Sequence, residues 1–458
     1  MLDASEKYCI VGAGPSGLAV AKNFKQLGIP CDCFEREDDV GGNWYYGRPA
    51  SCVARSTHLI SSKALTEFTD FPMSEDYPHY PSHAQAWEYL KSYARRFELY
   101  GSITFRTSVA WIEPVGECGE MRPVGECGEM RPAGECGEMR AGGERWQVRL
   151  SDGTSRAYAG VVIANGHNWD PNLPNYPGQF DGLSLHSRDY KTPDILAGKR
   201  VLVVGAGNSG CDIAVESAQH AARTCHSVRR GYHYLPKFLY GKPIDQCGER
   251  LLHWRLPLWL RRFVTRRVVK MSLGLPEDYG LPAPDHRLYE THPIVNSQML
   301  YYLGHGRIAA KPDVERLLGD RVRFVDGSEE PLDVIVYATG YRINIPFIDR
   351  RELNWGQDRP ELYLNVFHPR HDRLFVAGLI QPDSGQWGLV DYQAQLIARY
   401  VRAVDRDTPR GRAFRREKAR HRVDLAGGIR YVRSPRHLLE VEHFSYRERL
   451  KKLIAQLA

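Results

Sequence analysis

The sequence predicts an α/β fold that contains two Rossmann-like dinucleotide-binding domains. Two glycine-rich fingerprints predict it, VGAGPSG at residues 11–17 and VGAGNSG at residues 204–210. Each fingerprint follows an apolar run typical of a buried parallel strand and precedes a run typical of a helix. This strand–turn–helix context makes an otherwise common glycine pattern specific for nucleotide binding.

The first fingerprint has the residues that a bound dinucleotide requires. Gly12 permits the tight turn, and Gly14 lets the backbone approach a pyrophosphate. Gly17 lets the helix pack closely on the strand. Pro15 and Ser16 lie at the predicted helix N-terminus, which offers free N–H groups to phosphate. The alternative is a Rossmann-like turn that binds no ligand.

An acidic residue ends the next predicted strand, residues 31–34. Glu35 lies about 20 residues after the glycines, where a carboxylate suits a free ribose 2′-hydroxyl. This position selects FAD or NAD over NADP, and Arg36 is grouped with the same site.

The second fingerprint repeats the pattern with one change. Its turn contains the second set of candidate binding residues, Gly205, Gly207, Asn208, Ser209 and Gly210. The strand that follows ends in Arg229 and Arg230, where the first copy has Glu35. Arginine there accommodates a 2′-phosphate, so this site is expected to prefer NADPH. The alternative is that the two arginines form a solvated cationic turn.

A third motif lies between the fingerprints. Phe180, Gly182, His186 and Tyr190 form the pattern F-x-G-x-x-x-H-x-x-x-Y. With it, the chain resembles the flavin-containing monooxygenases, a family of class B flavoprotein monooxygenases. The resemblance covers nearly the whole chain and includes G-G-N-W at 41–44, S-S-K at 61–63, A-T-G-Y at 338–341 and the predicted strand 375–381.

The resemblance implies FAD and NADPH as cofactors and O₂ as a substrate. It implies oxygenation of a soft nitrogen or sulfur atom of a small lipophilic amine or thioether through a C4a-hydroperoxyflavin. The cofactor performs this chemistry, so no acid or base side chain is expected to be catalytic. By resemblance, Gly42, Trp44, Thr339 and Gly340 join the FAD site. The active-site lining is expected to include Ile60, Ser61 and Gln381.

One position departs from the family pattern. The family commonly has asparagine immediately before Ser-Ser-Lys, where this chain has Ile60, and isoleucine cannot donate a hydrogen bond. One alternative function is therefore an uncoupled NADPH oxidase-like flavoprotein that produces hydrogen peroxide. Related Baeyer–Villiger monooxygenases carry Trp-Pro at the position where this chain has Tyr190-Lys191, which disfavours a Baeyer–Villiger reaction. A further alternative is a non-catalytic nucleotide-binding redox sensor.

The resemblance also implies a discontinuous domain plan. Residues 1–168 and 325–458 are expected to form the FAD domain, and residues 169–324 the NADPH domain inserted into it. A nine-residue unit repeats within residues 115–140. Because long surface loops are tolerated at small entropic cost, we predict a tandem expansion in a hairpin loop.

Composition is compatible with a cytoplasmic enzyme. The 10 cysteines include no C-x-x-C pair, which argues against a dithiol reductase, and no metal site is expected. No nucleic acid partner is expected because no aromatic platform accompanies the arginines. Whether the protein forms a homodimer is left open by the sequence.

A basic segment at residues 259–271 allows two interpretations. Leu260, Phe263, Val264, Val268 and Met271 would share one face of a helix. The favoured interpretation is that this face packs on the NADPH domain. The alternative is peripheral contact with an anionic membrane.

Overall fold

The structure is a computed structural model that describes residues 2–115, 144–420 and 423–458. The predicted repeat loop at 115–140 lies outside these ranges apart from Val115. On either side of it, strands 109–114 and 146–150 are antiparallel neighbours. Within the described ranges, no helix has the length and apolar character needed to cross a bilayer.

The strands are, in chain order, β1 Leu2–Val11, β2 Cys31–Phe34, β3 Ile103–Thr104, β4 Val109–Pro114, β5 Trp146–Leu150, β6 Ser155–Ile163, β7 Asp170–Pro171, β8 Gly178–Phe180, β9 Leu183–His186, β10 Arg200–Val204, β11 Arg223–Ser227, β12 Tyr234–Leu235, β13 Phe238–Leu239, β14 Lys242–Pro243, β15 Ile294–Val295, β16 Ile308–Lys311, β17 Val314–Gly319, β18 Arg321–Phe324, β19 Glu329–Pro331, β20 Val334–Tyr337, β21 Tyr341–Arg342, β22 Leu374–Val376, β23 Gln381–Pro382 and β24 Glu440–Val441.

The α-helices are α1 Pro15–Gln26, α2 Lys63–Thr66, α3 His83–Arg96, α4 Asn208–His220, α5 Ile244–His253, α6 Leu258–Leu273, α7 Gln298–Gly304, α8 Trp387–Asp405, α9 Pro409–Arg420 and α10 His443–Leu457.

The first unit is built on a sheet of order β3-β2-β1-β6-β5-β4, with β22 also pairing β6. β1, β2, β6 and β22 are parallel, and their alternating side chains fill two cores. One core packs against α1, α3 and α8, and the other against the antiparallel strands β4 and β5. This arrangement places the first fingerprint at the carboxyl end of β1, between β2 and β6.

The second unit repeats this plan. Its parallel sheet has the order β16-β11-β10-β20-β9, with α4 and α7 on one face. The other face carries the small sheet β19-β18-β17-β8. In both units, therefore, helices cover one face of the parallel strands, whereas the antiparallel strands form a separate sheet in the second unit and continue the same sheet beyond β6 in the first.

The strand pairing favours a later domain boundary than residue 325. β18, β19 and β20 all belong to the second unit, and β20 lies between β10 and β9. A strand with hydrogen-bonded neighbours on both edges cannot be assigned to another sheet. We therefore propose that the chain returns to the first unit after β20, at the antiparallel pair β21–β7.

Candidate active site

The first fingerprint turn requires glycine for steric reasons. Gly12 has a φ of +100°, and a Cβ there would lie 2.8 Å from the Ala164 carbonyl oxygen. A Cβ at Gly17 would lie 1.8 Å from the Gly12 oxygen, so α1 packs directly on the turn. No side chain among the described residues caps the N-terminus of α1. Its free N–H groups are available to a phosphate group, as a dinucleotide site requires.

Two further glycine segments enclose this turn. Gly41 donates its N–H to the Ala13 oxygen at 3.0 Å, and a Cβ at Gly42 would lie 3.1 Å from Gly14 Cα. Trp44 follows and packs edge-on against Trp387, with ring centroids 5.7 Å apart.

Gly378 belongs to the segment 375–381 noted in the sequence, although it was not singled out there, and it lies against the same turn. A Cβ there would lie 2.1 Å from Ser16 Oγ. Its φ of +78° favours glycine at this position. Only the fold reveals this requirement, because the contact joins residues far apart in the chain.

Glu35 is buried beside the fingerprint. Its carboxylate accepts hydrogen bonds from the N–H groups of Ala13 at 2.7 Å and Glu37 at 3.0 Å. A carboxylate oxygen has two lone pairs, so each oxygen keeps capacity for a ribose hydroxyl. Arg36 is exposed at the adjoining surface.

The second fingerprint has the same steric design. A Cβ at Gly205 would lie 2.5 Å from the Ala338 oxygen, and a Cβ at Gly210 would lie 1.9 Å from the Gly205 oxygen. Gly207 faces open space, with no atom of the described residues within 4 Å of its Cβ position. The N-terminus of α4 likewise has no side-chain cap among the described residues. Ser209, in the first turn, is partly exposed.

Asn208 connects the second fingerprint to the neighbouring segment. Its side chain donates to the Pro293 oxygen at 3.0 Å and accepts from Val295 N–H at 2.9 Å. The amide nitrogen and the amide oxygen each make one of these bonds, and together they hold β15 against the turn. Both Pro293 and Val295 line the cavity described below.

The two arginines after β11 differ in their surroundings. Arg230 donates to both carboxylate oxygens of Asp285, at 2.7 and 2.8 Å. Arg229 is exposed and forms no ion pair or hydrogen bond with a described residue. Only the Arg229 guanidinium is thus uncommitted beside the second fingerprint.

Thr339 and Gly340 lie at the second fingerprint rather than the first. They directly follow β20, and the preceding Ala338 contacts Gly205. Thr339 and Gly340 also hydrogen-bond to the backbone of Asn172 in the hinge. Their expected grouping with the first nucleotide came from the motif alone, which does not reveal the sheet to which its strand belongs.

The motif between the fingerprints forms a structural framework. A Cβ at Gly182 would lie 2.5 Å from the Asp333 oxygen, so this position requires glycine, and Phe180 packs in the adjoining core. Fully buried Tyr190 donates its hydroxyl to Glu216 of α4 at 2.7 Å.

His186 is buried, and the backbone satisfies both of its ring nitrogens. Nε2 donates to the Gly340 oxygen at 3.1 Å, and Nδ1 accepts from Arg188 N–H at 3.1 Å. Burial lowers the pKa of this ring, which favours the neutral form. The ring therefore fixes the hinge and has no free nitrogen to offer to a substrate.

An apolar cavity of about 250 Å³ lies between the two units. α5 and α6 form two walls, and residues 60–61, 289–295 and 382–384 form the others. Ile60 and Ser61, which the sequence analysis assigned to the active-site lining, are both at the surface of this cavity. Gln381 directly precedes the 382–384 wall and donates to Glu440 Oε1 at 2.9 Å.

Hydrogen bonds connect the cavity walls across the two units. Ser62 N–H donates to Asp245 Oδ2 on α5 at 2.6 Å. Glu249, also on α5, pairs with Arg447 of α10 at 2.6 Å. The neighbouring Ser61 hydroxyl is already bound to Thr66 Oγ1 at 2.7 Å.

One cavity carboxyl group has a perturbed pKa. Burial first, and then repulsion from Glu442 and Glu440, raises the pKa of Asp383 to about 6. Its Oδ1 accepts the N–H of His443 at 2.9 Å, and no lysine or arginine of the described residues pairs with it.

Comparisons with known proteins agree with this geometry. The model of the flavin-binding monooxygenase-like family matches residues 5–123 and 137–456. N-oxide-forming dimethylaniline monooxygenase 2 of Rattus norvegicus is 31% identical over 97% of this chain and 82% of its own. Flavin-containing monooxygenase 5 of Homo sapiens is 29% identical over 98% of this chain and 83% of its own.

Solved structures share the fold at lower identity. The S-allyl-L-cysteine S-oxygenase from Allium sativum has a TM-score of 0.64 at 19% identity, covering 99% of this chain and 89% of that one. Cyclohexanone monooxygenase bound to ε-caprolactone has a TM-score of 0.69 at 18% identity, covering 99% and 98%. The predicted α/β class with two Rossmann-like units is thus confirmed.

The family match and the two fingerprint turns lead to one conclusion. The match leaves out only residues 124–136 between its two segments, which fall within the predicted repeat. The relatives align across both nucleotide units. The chain belongs to the flavin-binding monooxygenase-like family and is a monooxygenase that depends on FAD and NADPH.

Proposed function

We propose that this enzyme uses NADPH and O₂ to oxygenate a soft nitrogen or sulfur atom of a small lipophilic amine or thioether. The observation that carries the proposal is the apolar cavity between the two nucleotide units. Its walls come from both units, so a bound molecule would lie between the two cofactors.

We assign FAD to the first fingerprint. Gly12, Gly14 and Gly17 leave room for a pyrophosphate, and Glu35 has free lone pairs for the ribose. The same site would include the segments that adjoin the turn: Pro15, Ser16, Arg36, Gly42 and Trp44. FAD held there would supply the hydride-accepting and dioxygen-activating chemistry of the reaction.

We assign NADPH to the second fingerprint. Gly205, Gly207 and Gly210 supply the turn, and Arg229 supplies a free cation for the 2′-phosphate. We place Thr339 and Gly340 with this nucleotide as well, because they adjoin Gly205.

The protein would position the reactants and exclude water. Ile60, Leu251 and Val264 give the cavity apolar walls, which favour a lipophilic substrate and protect a reactive flavin from solvent. The Asp383 carboxylate, which lacks a cation partner among the described residues, can accept a hydrogen bond from an N–H or O–H group located away from the reacting atom of a bound molecule.

Ile60 supports the uncoupled oxidase as a second candidate. Its side chain packs with Leu235 and Val295 and offers no hydrogen bond to a bound cofactor. The adjacent Ser61 hydroxyl cannot replace the missing group without breaking its bond to Thr66. Hydrogen peroxide would then be released without oxygen transfer. Neither the Baeyer–Villiger reaction nor a redox sensor is supported by a comparable contact.

The deciding experiment measures NADPH oxidation, O₂ uptake and peroxide together, with and without thioether or tertiary amine substrates. A monooxygenase gives oxygenated product and little peroxide. Peroxide that equals NADPH oxidation with every substrate favours the oxidase, and ester formation from a ketone favours the Baeyer–Villiger reaction. Absence of NADPH oxidation would favour the non-catalytic redox sensor.

The Ile60→Asn variant tests the same point within the site. It restores an amide beside the cavity, so we expect the peroxide fraction to fall by about threefold, equivalent to a modest hydrogen bond. Ile60→Val is the control, because it changes volume without adding a polar group. An equal peroxide fraction in Ile60→Asn and the unmodified enzyme would contradict a role for this position in coupling.

A further inference from the structure

The cavity between the two units contains two charged side chains that have no partner of opposite charge. Arg261 of α6 and Asp383, which directly follows β23, both line it. No carboxylate of the described residues pairs with Arg261, and its buried Nε has no hydrogen-bond partner among them. Asp383 accepts a backbone N–H and has no lysine or arginine partner in the same part of the chain. Unpaired charges in an apolar cavity are costly, so each is suited to a ligand group of opposite charge.

The Asp383 end of the cavity favours a cation. The neighbouring carboxylates are already bound: Glu440 lies 3.3 Å from a ring nitrogen of His292, and Glu442 accepts backbone N–H groups at the start of α10. The buried Ser384 hydroxyl has no hydrogen-bond partner among the described residues. An ammonium group bound here would offset the negative charge and could donate to both Asp383 and Ser384.

The Arg261 end favours an anion. Helix α6 has no acidic residue, and the Arg261 guanidinium lies 6.0 Å from the centre of the Tyr289 ring. The hydroxyl oxygens of Thr265 and Tyr289 are 2.7 Å apart. In such a pair one hydroxyl donates to the other, which leaves one proton free for a further acceptor. A ligand carboxylate could therefore accept hydrogen bonds from the guanidinium and from this hydroxyl.

The two charges act on the same hydroxyl group. Burial raises the pKa of Tyr289, the hydrogen bond with Thr265 and the positive charge of Arg261 lower it, and the negative charge of Asp383 raises it. Both charges are therefore close to this hydroxyl, yet they do not form an ion pair with each other. The cavity space beside them suits a ligand that carries a carboxylate and an ammonium group near each other.

We propose that the substrate is a zwitterionic thioether, an α-amino acid with sulfur in an apolar side chain, and that Arg261 and Asp383 select it. This inference rests on the proposed function and specifies its substrate. An ammonium nitrogen has no lone pair, so sulfur is the atom oxygenated. One oxygen atom of O₂ goes to sulfur, giving a sulfoxide, and the other leaves as water, while NADPH and a proton supply the reducing equivalents. Apolar walls such as Leu251 and Val264 would hold the side chain.

The test compares four thioethers with the full-length, FAD-loaded enzyme and NADPH. S-propyl-L-cysteine carries both charged groups, 2-(propylthio)ethylamine lacks the carboxylate, 3-(propylthio)propanoate lacks the ammonium group, and dipropyl sulfide lacks both. Sulfoxide formation gives kcat/KM for each. We expect S-propyl-L-cysteine to exceed each singly charged thioether by about tenfold, the effect of one charge-assisted hydrogen bond.

Substitutions should reduce activity according to the group that each substrate carries. Relative to dipropyl sulfide, Arg261→Gln should lose about tenfold with the two thioethers that carry a carboxylate. Asp383→Asn should lose about tenfold with the two that carry an ammonium group. Arg261→Lys keeps the charge and should lose less than Arg261→Gln. Arg266→Gln on α6 and Asp152→Asn alter exposed positions and serve as matched controls. Flavin content and thermal midpoint confirm that each variant is folded.

The outcomes separate this inference from the proposed function. Oxygenation of dipropyl sulfide without a preference for S-propyl-L-cysteine would overturn the inference and leave the proposed function intact. Equal losses with all four thioethers in Arg261→Gln or Asp383→Asn would also overturn it, because a general disturbance of the cavity would explain them. If NADPH is oxidised and no thioether or tertiary amine is oxygenated, the proposed function is wrong and the inference is wrong with it.

Discussion

At the residue scale, adjacent side chains of one type have different functions. Arg229 and Arg230 both follow β11, yet Asp285 holds only Arg230. The Asp285 carboxylate contacts Nη2 of Arg230 and offsets the positive charge that this side chain could offer to a phosphate. Selectivity for a 2′-phosphate should therefore depend mainly on Arg229.

This difference can be measured as cofactor preference. Arg229→Ala should lower kcat/KM for NADPH by about thirtyfold, corresponding to about 2 kcal/mol for one charge-assisted contact, and leave NADH little changed. Arg230→Ala is the matched control and should alter the ratio of NADPH to NADH far less. Steady-state kinetics with both cofactors provides the measurement. Equal loss of preference in the two variants would contradict the assignment.

Glu144 and His371 illustrate a half-buried pair whose function is structural. Glu144 binds the His371 ring, and Glu352 lies 3.3 Å from its other nitrogen. Burial alone would lower the pKa of His371, but the hydrogen bonds and charges of the two glutamates raise it to about 9. The protonated ring thus joins β5 to the loop that precedes β22.

This pair predicts a pH-dependent thermal stability. The pKa of His371 is higher in the folded state, about 9, than its ordinary value of 6.5. Its stabilising contribution is therefore complete below pH 6.5 and is lost as the pH rises through 9. The thermal midpoint should fall between pH 7 and 10 in the unmodified enzyme, and much less in His371→Asn. His305→Gln, at an exposed position, is the control and should retain the full pH dependence.

At the element scale, each fingerprint is a strand, a turn and a helix in direct backbone contact. Gly17 and Gly210 are the points where α1 and α4 meet the preceding turn. These contacts are local, so the glycine spacing predicted both turns from the sequence. The sequence predicted that Phe263 and Met271 share one face of α6 with Val264 and Val268, but only Val264 and Val268 line the cavity, whereas Phe263 and Met271 are exposed. This division of α6, and the sheet to which β20 belongs, depend on residues distant in the chain, which periodicity alone cannot reveal.

Alanine substitutions should separate the two nucleotide sites. Gly17→Ala would place Cβ 1.8 Å from a backbone oxygen, so the enzyme should purify with little FAD. Gly210→Ala, with a contact of 1.9 Å, should retain FAD but bind NADP⁺ at least about tenfold more weakly. Flavin absorbance and NADP⁺ titration give the two readouts.

The Gly207→Ala variant tests nucleotide binding at a position where a Cβ does not disturb the fold. Its Cβ would meet no described atom, so the thermal midpoint should be unchanged. NADP⁺ binding should still weaken, since the phosphate would approach the new methyl group. Normal NADP⁺ binding in Gly207→Ala would show that the phosphates lie elsewhere.

At the scale of the whole molecule, the two units are joined by contacts around the cavity as well as by the hinge. Asp245 and Glu249 of α5 bind Ser62 and Arg447 of the first unit. A cavity between the two units could be expected from the order of the motifs. Its walls could not, because residues 60–61, 244–269 and 382–384 come from separate parts of the chain.

The family match predicts which segment can be deleted without affecting folding or activity. Residues 124–136 are skipped by the match, and the flanking strands β4 and β5 pair directly with each other. Deleting residues 124–136 should leave flavin content, thermal midpoint and NADPH oxidation unchanged. Deleting β5, residues 146–150, is the contrasting control and should abolish folding because Trp146 is fully buried. Loss of flavin after deletion of residues 124–136 would show that the repeat has a structural role.

The strand order has a consequence for synthesis on the ribosome. The first sheet receives β22, at residues 374–376, only after the entire second unit has been translated. The second sheet is likewise incomplete until β20, at 334–337, can enter between β10 and β9. The nascent chain therefore carries an open edge on β6 for about 200 residues of elongation, the period when a chaperone is most needed.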